Sequence, residues 1–126
     1  RYLEHRYLSH PAHDYQVFLI KNRLSGKARG IFVLRLVPEG CELMDCVAAL
    51  SDIPLLITHA RRLAGMHGAI RLFCRITANF AHLFEVDDAS QQPVNIRIPA
   101  NHWSHGPAIE LIKDHWWLMS GDMDFR

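Results

Sequence analysis

Cys41-Glu42-Leu43-Met44-Asp45-Cys46-Val47-Ala48-Ala49-Leu50-Ser51-Asp52-Ile53-Pro54-Leu55-Leu56-Ile57 changes its apolar period partway along. Up to Ala49 the pattern alternates, as in a strand. Cys41, Leu43, Asp45, Val47 and Ala49 share one expected face, and Glu42, Met44, Cys46 and Ala48 the other. From Ile53 the apolar residues Leu56, Ile57, Ala60, Leu63 and Ala64 recur at i, i+3, i+4 spacing, the stripe of an amphipathic helix. The period switches at Ser51 and Asp52. Ser51 is expected to cap the helix, and Asp52 suits its positive end. The stretch therefore predicts a strand over 41–49 and a helix over about 51–66, with Gly68 as its terminator.

Upstream, β-forming runs at 15–21 and 30–37 flank the turn Asn22-Arg23-Leu24-Ser25-Gly26-Lys27 and read as a hairpin. Pro38-Glu39-Gly40 makes the next turn. The opening residues 1–8 carry Leu3, Tyr7 and Leu8 at helical spacing, stopped at His10-Pro11. Downstream, residues 70–76 alternate and follow a helical connection, so they are expected to form a strand parallel to 41–49. A short helix is expected over 78–86 and a polar loop over 87–92. A strand over 94–98, a helical turn over 108–112 and a last strand over 115–119 complete the reading.

The length of 126 residues fits a single domain. A first helix already under way at Arg1, without a starting Met, leads to the expectation of a fragment of a longer chain. Hydrophobic residues at 49% and charged residues at 21% are ordinary for a globular protein. A net charge of +1 gives no basic stripe, so neither nucleic acid nor an anionic membrane is an expected partner. The three cysteines lie in apolar patterns without CxxC spacing. They read as reduced core thiols of a cytoplasmic protein. No run approaches the ~20 apolar residues of a membrane span.

The order of hairpin, third strand, helix, parallel strand, helix and closing antiparallel strands resembles the GNAT (GCN5-related N-acetyltransferase) superfamily over nearly the whole chain. Arg6-Tyr7…His10-Pro11…Tyr15 and Trp116-Trp117-Leu118…Gly121-Asp122-Met123-Asp124 also look like acetyltransferase-like proteins encoded near bacterial polysaccharide genes. In that group the segment looks like the C-terminal half of a longer protein. The resemblance implies an α/β fold with a mixed, mostly antiparallel sheet of about six strands and helices on both faces. It implies acetyl-CoA or another acyl-CoA as co-substrate and a small amine, such as an amino sugar, as acceptor. The third and fourth strands would splay. Backbone of Cys46, Val47 and Ala48 would hold the pantetheine arm, Ser51 would stand at the pyrophosphate joint, and Asn79 would lie near the pantetheine. The family's joint carries Arg or Gln, two residues, Gly, any residue, then Gly or Ala. Ala49-Leu50-Ser51-Asp52-Ile53-Pro54 has no glycine, places a carboxylate at the anion site and loses an amide at Pro54. Leu83-Phe84 stands where the family has a Leu-Tyr pair, so the usual general-acid phenol is missing.

Asp45 is the leading candidate base, because a carboxylate on a partly buried strand face gains a raised pKa and can accept an amine proton. The alternative is a structural pair with Arg35 or Arg75, or a solvated carboxylate. His102 and His115 are further candidate bases. The nine histidines offer neither HExxH spacing nor a cysteine partner, so no metal site is expected. Trp103, Trp116 and Trp117 suit packing or an interface. Two functions follow as expectations. One is direct acyl transfer to a small amine, with the thioester carbonyl polarised by strand amides near Val47. The other is a non-catalytic acetyltransferase-like module that packs on an upstream catalytic half or in a homodimer. A deep cleft between 46–49 and 74–77 would favour the first, and a filled one the second.

Overall fold

Asn22 shapes the first turn: its side-chain oxygen accepts the Leu24 and Ser25 amides at 2.9 and 3.0 Å. The hairpin that results joins β1 (Gln16–Lys21) to β2 (Ala28–Val37), paired antiparallel. β3 (Gly40–Ala48) adds antiparallel to β2, α1 (Ile53–Met66) crosses one face, and β4 (Leu72–Phe73) adds parallel to β3. The sheet order is β1-β2-β3-β4. This computed structural model describes residues 1–96 and 105–123.

α1 buries Ile53, Leu56, Ile57, Ala60 and Ala64, the stripe read from the sequence. They pack on Phe32, Leu34, Leu43 and Cys46 of the sheet. Full burial of each large aliphatic side chain contributes about 1.5–3 kcal/mol. The helix stops at Gly68, whose φ of +79° suits glycine, while the Ala69 amide reaches back to the Ala64 carbonyl at 3.0 Å. On the opposite face, a π-helical turn at Glu4–Leu8 lays Tyr7 and Leu3 against Val17, Val33 and Met44. The chain is thus mixed α and β, with helical segments on both faces of the sheet.

β3 departs from simple alternation. Its register with β2 shifts between Val33 and Leu34, so Val33 faces Asp45, Leu34 faces Leu43, and Met44 is the extra residue. The bulge resets which side chains share a face. Cys41, Leu43, Cys46 and Ala48 pack on the α1 side, while Met44 packs with Tyr7 on the other. The uninterrupted alternation expected over 41–49 is therefore corrected at Met44.

Four described strands stand where about six were expected. Residues 70–76 contribute only Leu72–Phe73, because the backbone of 75–77 is engaged by residues near the C-terminus. The expected last strand reduces to one antiparallel bridge, Ile76 to Met119. Residues 94–96 are not strand, and the rest of the strand expected at 94–98 lies outside the described residues. The helix expected at 78–86 is a 3₁₀ helix, Ala78–Phe84, and its Phe80 and Phe84 rings lie 5.0 and 5.8 Å from the Trp117 ring. The turn expected at 108–112 is α2 (Ile109–Ile112).

Candidate functional site

Parallel pairing between β3 and β4 covers only Cys41 with Leu72 and Glu42 with Phe73. Beyond those pairs the ladder ends, the place where the resemblance expects room for a pantetheine arm. Residues 116–122 occupy the gap. Met119 is 0% exposed, and its sulfur lies 3.6 Å from the Cys46 thiol. The Arg75 amide donates to Ser120 Oγ at 2.9 Å, a bond that takes the place of a ladder partner. The Thr77 amide donates to the Leu118 carbonyl at 3.1 Å, and Thr77 Oγ1 donates to the Trp116 carbonyl at 2.6 Å. Gly121 completes the plug. A Cβ there would stand 2.9 Å from the Met44 carbonyl oxygen and collide with the Tyr7 hydroxyl. The Arg6 guanidinium donates to the Gly121 carbonyl, tying the N-terminal helix to the plug.

Asp45 sits on the opposite face, turned there by the bulge. It is 7% exposed, and its Oδ2 accepts hydrogen bonds from the Tyr2 and Tyr7 hydroxyls, both at 3.1 Å. Burial pushes its carboxyl above the usual range, opposed by the two phenol bonds. The same burial, with the nearby Asp45 charge, raises both phenols, so they stay protonated as donors. Sequence reasoning offered Arg35 or Arg75 as structural partners of Asp45. Both instead hold Glu42: Arg35 Nη2 lies 2.7 Å from Oε2 and Arg75 Nη1 2.9 Å from Oε1. No local signal separates the two carboxylates: the bulge, seen only in the register of β3 with β2, puts Met44 and Asp45 on one face and so moves Asp45 away from the face that strict alternation gives it.

At the joint, Leu50–Asp52 forms a 3₁₀ turn that leads into α1. Ser51 is exposed and makes no side-chain cap, and Asp52 occupies the cap position without one. The expected Ser51 cap is corrected for that reason. Asp52 instead accepts from Arg29 across the start of β2, with Nε 3.0 Å from Oδ2. The guanidinium holds its carboxyl below the ordinary range. The chain's own Arg29–Asp52 ion pair thus stands beside the start of α1.

The remaining candidates are dispersed. Cys46 is buried, its thiol pushed up to about 12 chiefly by burial. Val47 is 56% exposed and Ala48 is partly covered. Asn79 is exposed and donates its side-chain amide to the Asp114 carbonyl, one residue before the exposed His115. His102 lies outside the described residues, as does Trp103. The structure joins Asp45, Cys46, Val47 and Ala48 on one strand, with Asp45 and Cys46 on opposite faces. An open groove of about 650 Å³ lies at the other end of β2, between 12–16 and 35–39, and none of the described candidates lines it. Among the described residues no group of three His, Cys, Asp or Glu side chains is placed to share a metal ion. Among them, too, no helix is long and apolar enough to cross a membrane. Tyr2, Tyr7, Glu42 and Gly121 were not singled out from sequence. Tyr7 read as part of an apolar helical stripe and, like Gly121, as part of the end motifs of the resemblance, without a role of its own, and Tyr2 was not named.

Comparison with family models, with curated proteins and with solved structures gives no match.

Proposed function

We propose that this chain is a non-catalytic acetyltransferase-like half. It packs either against an upstream catalytic half, that of an acyl-CoA-dependent N-acyltransferase acting on a small amine such as an amino sugar, or against a second copy of itself. The observation that carries this reading is the plug: Met119 and Ser120 fill the opening between β3 and residues 74–77. The joint adds support, since Arg29 already neutralises Asp52 where a pyrophosphate would bind.

A second reading is favoured by Asp45. A bulge re-aims this carboxylate, and its raised pKa suits a general base. In that reading the chain itself transfers the acyl group. Asp45 takes the amine proton, the nitrogen attacks the thioester carbonyl, and the thiolate leaves and is reprotonated by another group.

Calorimetric titration of the purified chain with acetyl-CoA separates the two. The first reading expects no saturable heat at about 100 μM cofactor. Saturable binding in the micromolar range would sink it and favour transfer by this chain.

A further inference from the structure

β1 is the first strand of the sheet, and among the described residues it pairs only with β2. Among the described residues its outer edge therefore has no strand partner, and the backbone donors and acceptors of such an edge readily add another strand. The middle of the strand, Val17-Phe18-Leu19-Ile20, contains no charge and no proline to discourage pairing. Charges stand at its ends instead. Asp14 is exposed before the strand, and Lys21 and Arg23 are exposed at and after its end. An antiparallel copy of the same strand brings each acidic end towards a basic one, whereas a parallel copy would oppose like charges.

The face of the sheet away from α1 gives a second reason. Leu19 pairs with Ile31, and Ile31 with Val47, so the three form one apolar row across three strands. Tyr7 covers the neighbouring residues Val33 and Met44. The row itself is open, with Leu19 48% exposed.

We propose that β1 pairs antiparallel with β1 of a second copy about a two-fold axis at Leu19. A two-fold axis normal to the sheet places opposed residues on the same face, which requires a register centred on a residue. Centring on Leu19 sets it against Leu19 of the second copy and Phe18 against Ile20. The open row then continues unbroken from Val47 of one copy to Val47 of the other, across one joined sheet. The inference rests on the proposed module role only for the need of a partner. Its test contains no cofactor, so its failure and that of the cofactor reading are distinguishable.

Sedimentation velocity of the full chain from about 1 to about 100 μM is the test. A dimer is expected, loosening as salt screens the end charges. Leu19→Lys puts like charges across the axis and is expected to weaken the dimer at least about tenfold. Asp14→Lys, at an exposed position, is expected to weaken it less. Hydrogen exchange of the β1 amides should slow with protein concentration, a readout that needs no variant. A monomer at about 100 μM overturns the proposal. So does a dimer indifferent to both substitutions, or β1 exchange independent of concentration.

Discussion

Glu42 and Asp45 are buried carboxylates three positions apart on β3, and the protein treats them in opposite ways. Glu42 lies between two guanidiniums, which compensate its charge in place. Asp45 has two phenols, which donate hydrogen bonds but bring no positive charge. The first arrangement locks β2, β3 and the segment after β4 together. The second leaves a carboxyl whose burial favours the proton. The two sites thus keep a carboxylate buried in different ways, one by charge compensation and the other by hydrogen bonds alone.

The largest effect is expected from Glu42→Ala. Removing one member of a buried ionic cluster leaves Arg35 buried without its counter-charge, at a cost of about 3–5 kcal/mol in urea unfolding. If the loss is below about 1 kcal/mol, the cluster is not the clamp described. Next is Gly121→Ala, which drives a methyl group into the Tyr7 hydroxyl and the Met44 carbonyl. A loss of about 1–3 kcal/mol is expected, together with altered near-ultraviolet dichroism from displaced tyrosine. Wild-type stability with an unchanged tyrosine signal would mean that the plug has more room than its geometry implies.

The smallest effect at neutral pH, and the most specific, belongs to Asp45→Asn. A folded-state pKa above the unfolded value means that the native state holds the proton more tightly. Stability from this group is present below the unfolded carboxylate value of about 3.9 and is lost as pH rises through the raised folded value. The wild type should therefore lose stability relative to Asp45→Asn across that rise. Parallel pH profiles of the two proteins would remove Asp45 as a proton-holding group and return it to the structural class of Glu42.

Much of the fold could be read locally. The hairpin, the third strand, α1 with its Gly68 stop, and the parallel return all lie within a few residues of their expected places, because each follows from nearest-neighbour periodicity and turn chemistry. The site was only half legible. Asp45 stood out as a carboxylate in an apolar strand, but its partners did not, because Tyr2 and Tyr7 are some forty positions away in the chain. The strands expected near 70–76 and 115–119 shrank because backbone groups at 75–77 found Ser120, Leu118 and Trp116 rather than a neighbouring strand.

The sequence by itself determined the order of elements and the apolar stripe of α1, and left the joint after β3 without glycine. These are local properties, set by which residues stand next to one another. Tertiary structure alone decided which carboxylate meets arginine and which meets tyrosine, and that the gap beside β3 is filled. A single extra residue at Met44 and contacts spanning the length of the chain fix those outcomes, and no local pattern encodes a contact made by distant residues.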